Sequence, residues 1–412
     1  MHDENAARDA LALRLERAVA GYESEHEPLP RPVMVVDLDA FDANADDLAR
    51  RAASVGRAVP IRVASKSLRV PALIQRALAH PGFSGVLGFT LAEALWLVEN
   101  GVSDDVVVAY PTVDRGAIAR LLASPEALAA ITVMVDNTAH LDVIDAVGRS
   151  TGAPVRVALD VDAGLKVAGQ HIGPKRSPLF EASAVVRLAR TIADRPGFQL
   201  VGVMTYEGQV AGVPDKVPGQ RAKSFAVRKI KSMSLQQLAD RRAEIAAGLR
   251  RITELEFWNA GGSGSIAETA SDPTVTELTA GSGLLVSRLF DHYHSFEPRA
   301  AAFFGLPVTR RPGPGIATTH GGGLAASGAA GKDRLPTPWA PSGLSLTGLE
   351  GAGEVQTPLT GPGADGLAIG DLVWFRHAKS GEVFEHTNTA WLVEGDRIVE
   401  GATTYRGHGL SF

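Results

Sequence analysis

Eight short β-rich runs, most of them followed by an Ala- and Leu-rich stretch with helical spacing, leave this chain few architectures to adopt. The runs cover residues 61–66, 85–90, 105–111, 131–137, 155–162, 200–208, 255–262 and 276–285. Helical stretches fall between them at 71–80, 91–100, 114–125, 138–149, 181–194 and 235–253. Eight βα units within about 225 residues are the repeat of an α/β protein built on a (β/α)8 TIM barrel. A doubly wound open sheet shares the alternation. The barrel is the better reading because nearly every run ends on a polar residue or a glycine. Those ends converge on one face of a barrel but spread along a crevice in an open sheet.

The flanks have a different texture. Residues 6–20 carry Leu11, Leu13, Leu15 and Val19 among charged residues, a weak helical pattern, before Pro28, Pro30 and Pro32 force extended backbone. Residues 33–38 then read as a strand and 39–53 as a helix with acids in its first turn. After residue 290 helical periodicity fades. Gly, Pro and Thr dominate 312–366, and clear strands return only at 371–376, 389–394 and 397–399. The chain therefore divides into an N-terminal segment 1–38, a barrel 39–290 and a C-terminal β domain 291–412. The glycine-rich stretch 321–331 reads as a surface loop, and the basic stretch 221–231 as a solvated face.

A chain of 412 residues with 45% hydrophobic and 21% charged residues has the make-up of a full-size soluble protein. Its formal net charge of −5 argues against nucleic acid or an anionic membrane as the main partner. No run is apolar enough to span a bilayer, and the acidic N-terminus is unlike a signal peptide, so a cytoplasmic location is expected. The absence of cysteine removes disulfides, thiolate nucleophiles and cysteine-bound zinc.

Chemistry concentrates at the ends of the runs. The first run delivers Lys66, the first lysine in the chain, at the end of an apolar strand. Desolvation there disfavours the ammonium form and makes a lysine nucleophilic toward carbonyl groups. Gly261-Gly262-Ser263-Gly264-Ser265 follows the seventh run and Gly281-Ser282-Gly283 lies on the eighth. Glycine turns with free N–H groups and serine hydroxyls cradle phosphate, and in phosphate-binding barrels they sit after strands seven and eight. A phosphate site beside a lysine nucleophile suits a phosphorylated aldehyde held as a Schiff base, which describes pyridoxal 5′-phosphate (PLP). Tyr206, ending the sixth run, offers a ring or hydroxyl to the cofactor. Lys166 and Arg176, in the loop after the fifth, offer cations to its phenolate oxygen or to a substrate carboxylate.

These motifs resemble those of fold-type III PLP enzymes, the alanine-racemase-like barrels, and among them the branch of D-threonine aldolase and eukaryotic-type D-serine dehydratase. The likeness spans about residues 30–412 and rests on Val63-Ala64-Ser65-Lys66-Ser67, Asp162 with Lys166, Tyr206-Glu207-Gly208 and the 259–265 turn. It implies a PLP-binding barrel with a discontinuous β domain. It also implies a homodimer whose β domain closes the partner's active site, and lyase activity on D-configured β-hydroxy amino acids, either retro-aldol cleavage or deamination. The lysine motif of alanine racemase itself is absent. In that branch a C-terminal H-x-D or H-x-C pair holds a divalent metal (Mn, Mg or Zn). The matching residues here are His386 and Asn388, and a neutral amide in place of a carboxylate or thiolate lowers metal affinity. His377 is a second candidate ligand. The resemblance makes Lys66 the cofactor anchor and Cα base, and His386 the group near the β-hydroxyl, as base or ligand. The rival readings are a racemase, with Tyr293 or Tyr405 as the second base, a non-enzymatic PLP-binding protein, and an open-sheet nucleotide-binding enzyme.

Overall fold

The computed structural model describes residues 2–148, 152–297 and 299–412. Each of the eight runs overlaps one strand of a closed parallel barrel. In order these strands are Ile61–Ala64, Phe83–Gly88, Val106–Val108, Ile131–Val135, Val155–Asp160, Phe198–Thr205, Phe257–Ala260 and Glu277–Ala280. Closure comes from strand eight pairing with strand one, Leu278 opposite Ile61 and Ala280 opposite Val63. Alternation decides which side chains go where. Val106 and Val108 join the core beneath the helices, whereas Val107 belongs to a separate cluster with Met134, Ala158, Val201, Met204 and Phe257. Strands one, seven and eight add a polar counterpart. Arg62, 4% exposed, grips both carboxylate oxygens of Glu277 at 2.9 and 2.8 Å. Asn259, on strand seven, donates to Glu277 at 2.8 Å and to Thr279 at 2.9 Å.

The helices Pro71–Ala79, Leu91–Glu99, Arg115–Ala123, Thr138–Asp145 and Ala182–Ala193 lie where spacing predicts them. Residue 149, the last of the predicted 138–149, lies outside the described residues. Several polar residues at the run ends are helix N-caps: Thr90 accepts from the Glu93 amide, and Asn137 from that of Ala139. The sixth helix corrects the sequence reading. It runs Arg221–Leu249 and absorbs the basic stretch, and Lys231 within it is buried on Asp215 at 2.9 Å, so this face is partly interior. No helix among the described residues is long and apolar enough to cross a membrane.

The second sheet joins the two ends of the chain. Val33–Asp37 lies between Ala302–Gly313, to which it is antiparallel, and Thr389–Glu394, to which it is parallel. The helix His2–Glu25 covers this sheet through Leu15, Ala18 and Val19, packed with Val33, Phe303 and Trp374. The Gly-, Pro- and Thr-rich region is more ordered than its composition suggests. It holds the strands Ile316–His320, Thr337–Ala340, Ser345–Leu346 and Gln356–Thr360. Threonines make this work, because their hydroxyls can be buried when bonded: Thr319 and Thr357 are both 0% exposed, and Thr319 donates to the Thr357 carbonyl.

Candidate active site

Strand one ends in a tight turn, Ser65–Ser67, that buries both serines and leaves Lys66 exposed at the barrel mouth. Its Nζ donates to the Tyr110 hydroxyl at 3.0 Å. Tyr110 follows strand three and has Arg176 5.8 Å from its ring centre. Burial pushes the Tyr110 phenol up, but the cations Lys66 and Arg176 outweigh it and hold the pKa below the ordinary value. Tyr110 and Arg176 also line a cavity of about 590 Å³ with Asp136, His140 and Asp160, residues at the ends of strands four and five or just beyond. Burial, and then the neighbouring Asp136, push the Asp160 carboxyl up to about 7 against the pull of Arg176. Sequence reasoning passed over Tyr110, Asp136 and Asp160. Each nevertheless stands at the end of a predicted run, which was the available signal.

The glycine turns are fastened to the lysine turn. Ser67 Oγ lies 3.0 Å from Ser282 Oγ, and the Gly283 amide donates to Ser263 Oγ at 2.9 Å. Gly281 is required by close approach, since a β-carbon there would lie 2.6 Å from the Ala64 carbonyl oxygen. In the first turn the Gly261 amide donates to Glu207 and the Gly262 amide to Ser265 Oγ. Among the described residues, the buried amides of Ser263 and Gly264 take no protein acceptor. A buried N–H without a partner is costly, so this pair suits an anion's oxygens. Tyr206 is half-buried beside the turn: a β-carbon on Gly262 would lie 3.4 Å from its ring. Burial raises the Tyr206 pKa.

Other candidates are placed elsewhere. Lys166, on the hairpin Leu165–Val167 and Gln170–Ile172, is exposed, bonds Glu181 at 3.1 Å and covers the Phe180 ring at 3.6 Å. Arg176 is the cation from that loop which reaches Tyr110. His386 and Asn388 are exposed, on and just after the short helix Glu382–His386. That segment borders the lysine turn: Glu385 pairs with Arg69 at 2.6 Å, and Arg69 donates to the Lys66 carbonyl at 3.2 Å. Gly381, at φ 85°, lies so close that a β-carbon would sit 2.0 Å from the Lys66 carbonyl oxygen. Ser327, from the glycine-rich loop, donates its amide to Glu382 at 2.7 Å. His377 is 3% exposed, and burial, with Arg376 beside it, pushes its pKa down to about 3. The hydroxyls of Tyr293 and Tyr405 are engaged, by the Ala211 carbonyl at 3.2 Å and Glu93 at 2.7 Å.

Comparison with known proteins bears on the fold. Residues 36–286 match the model of the alanine racemase N-terminal domain. D-threonine aldolase of an Arthrobacter species is 28% identical over 260 residues, 62% of each chain. The 3-hydroxy-D-aspartate aldolase of Paracoccus denitrificans (strain Pd 1222) is 26% identical over 280 residues, 66% of this chain and 65% of that one. The chain thus spans less than two thirds of the length of these curated relatives. The structure of D-threonine aldolase from Filomicrobium marinum superimposes with a TM-score of 0.76 at 22% identity, covering 92% of this chain and 95% of the other. D-threo-3-hydroxyaspartate dehydratase from Delftia gives 0.68 at 20%, covering 91% and 97%. These structural likenesses extend the shared fold beyond the barrel into the second sheet. The match covers the whole barrel and more than half of the chain, and this chain belongs to the alanine racemase N-terminal domain family.

Proposed function

We propose that this protein is a PLP-dependent lyase that cleaves D-configured β-hydroxy amino acids, with the cofactor held covalently by Lys66. The observation that carries the reading is the tie between the lysine turn and the glycine turns, Ser67 to Ser282 and Ser263 to Gly283, beside two buried amides without acceptors. The residues fit the cofactor: an exposed amine for the aldehyde, Ser263 and Gly264 amides and Ser282 for the phosphate, Tyr206 beside the ring, and Arg176 for an anionic oxygen. When bound, PLP supplies an electron sink for the substrate carbon next to its carboxylate.

The chain's own groups divide the remaining work. Lys66 would hold the cofactor's aldehyde, and its free amine would be a base whose proton can pass to or from Tyr110 at 3.0 Å. His386, exposed on the segment bordering the lysine turn, is the proposed base for the β-hydroxyl. Exposed His386 with the neutral amide of Asn388 does not fit a tightly held divalent cation. The adjacent carboxylate, Glu385, is already committed to Arg69. Among the described residues no cluster of three His, Asp or Glu side chains has ligand geometry. Removal of a hydroxyl proton needs only a base, whereas expulsion of hydroxide needs a Lewis acid or a strong proton donor. Retro-aldol cleavage is therefore the favoured outcome. Deamination is the second reading: Asp160 lines the cavity beside Tyr110, and burial with the neighbouring Asp136 pushes its carboxyl up to about 7, which makes it a candidate proton donor. Racemisation has less support because the hydroxyls of Tyr293 and Tyr405 are occupied.

The proposal includes a homodimer in the cytoplasm, with 1–38 and 291–412 acting as one β unit over the 39–290 barrel. Light scattering of the purified protein tests the dimer. A panel of D- and L-amino acids with product identification tests the reaction. Glycine plus an aldehyde from a D-β-hydroxy amino acid is expected, and a 2-keto acid plus ammonia selects the second reading. Racemic product with neither aldehyde nor keto acid overturns both.

A further inference from the structure

Glu207 is a carboxylate with no solvent exposure, immediately after Tyr206, and it reaches across from strand six to the glycine turn after strand seven. Its Oε2 accepts from the Gly261 amide at 3.2 Å and from Arg242 at 3.1 Å. Its Oε1 accepts from the Thr269 hydroxyl. Thr269 Oγ1 lies 3.1 Å from Ser265 Oγ, and Ser265 Oγ takes the Gly262 amide at 3.3 Å. One carboxylate thus fixes both leading amides of the turn, Gly261 directly and Gly262 through two hydroxyls. The amides left without acceptors are the next two, Ser263 and Gly264.

Arg242, 1% exposed, pairs with this anion and is shared with Asp272 at 3.2 Å, while its Nε donates to Thr205 Oγ1 at 2.9 Å. The Glu207 carbonyl also accepts the amides of Val210 and Ala211 in the short helix Gly208–Ala211. A negative charge close to a phosphate site is unfavourable unless it serves geometry, and here it is paired with Arg242 and bonded at both oxygens. We infer that Glu207 is a positioning residue: it sets the Gly261–Ser265 turn so that the Ser263 and Gly264 amides are presented to the cofactor's phosphate. The inference rests on the proposal that this turn holds the phosphate of PLP.

The test compares PLP with pyridoxal, which has the same aldehyde and ring but no phosphate, on the full-length protein stripped of cofactor and reloaded. Both bind Lys66, so the ratio of their dissociation constants isolates the phosphate. The wild type is expected to prefer PLP by at least about 100-fold, the scale of two or more charge-assisted hydrogen bonds. Glu207→Gln, which keeps the volume, should cut that preference by about tenfold or more while pyridoxal affinity changes less than about twofold. Thr269→Val leaves the ion pairs intact and should cut it by about threefold, and it decides the matter if Glu207→Gln does not fold. A wild type without preference for PLP refutes the phosphate site itself. A wild type that prefers PLP while both variants keep the same ratio refutes the role of Glu207 alone. Tighter PLP binding in Glu207→Gln, weakening with salt, would also refute it, because the carboxylate would then act only as a repelling charge.

Discussion

The two sides of the barrel mouth are built to different standards. On the glycine-turn side the side chains that shape the site are all hydrogen-bonded, and Ser67, Ser263, Ser265, Thr269 and Glu207 are buried, with Ser282 half-buried. By contrast, His386 and Asn388 stand exposed on a segment fastened to the lysine turn by one ion pair, Glu385 with Arg69, and by the close approach of Gly381, and to the second glycine turn by Ser380, which donates to the Ser282 carbonyl at 3.3 Å. Packed elements hold a group to a fraction of an ångström, which suits a cofactor that stays in place. Short surface segments adapt and diverge, which suits the choice of substrate and bond. On the proposed reading, the buried groups retain the cofactor and the exposed segment sets the reaction.

The largest break is Lys66→Ala, which removes the group both sides use. Turnover should fall at least about a thousandfold, with loss of the visible absorbance of bound PLP. An unchanged band would end the lysine assignment. Next comes His386→Ala on the exposed side, where loss of a general base predicts a kcat lower by about 10²-fold or more with PLP absorbance unchanged. In the same assay, a chelator should alter wild-type activity less than about twofold, because the donor set is weak. Strong inhibition by chelator would restore the metal. Tyr110→Phe should cost about tenfold in kcat. Tyr110's pKa is held below its ordinary value by Lys66 and Arg176, so the alkaline limb of the pH profile should move upward or vanish in the variant. A limb that stays where it was assigns it to another group.

The smallest effect concerns stability. Asp160 titrates at about 7 in the fold and at about 3.9 in an unfolded chain. Between those values the folded protein keeps a proton that the unfolded chain has lost. Stability from this group is therefore fully present below about pH 4 and lost as pH rises through about 7. Asp160→Asn should raise Tm by about 2 °C or more at pH 8 and leave it nearly unchanged at pH 4, measured by calorimetry. A gain of equal size at both values would mean that the carboxyl is not held protonated.

Much of the barrel was legible because a strand–helix repeat writes itself into local patterns: all eight runs overlap a barrel strand. The glycine turns and Lys66 were legible because such turns and an isolated strand-end lysine are local features too. Tyr110 was not, since its importance comes from Lys66 and Arg176, 44 residues before it and in a loop two strands later. Thr90 and Asn137 show the converse: polar run-ends can cap helices rather than serve a site. The strands between 312 and 366 were hidden because their pairing is long-range and their buried threonines look like loop residues. Lys166 matched a motif, yet Glu181 and Phe180 draw it to the surface, which no spacing rule encodes.

The place of Val33–Asp37 in the second sheet bears on how the molecule is made. Its neighbours, Val35 opposite Phe303 on one side and Trp391 on the other, are synthesised hundreds of residues later. During translation this apolar strand emerges early and waits with both edges bare until the barrel and both partner strands have been made. Closing so long a loop costs little more than closing a short one, but it comes late. Until then the strand is an open template for another chain. Chaperone capture of the nascent N-terminus, and aggregation of chains truncated before residue 389, are the consequences for expressing this protein in cells.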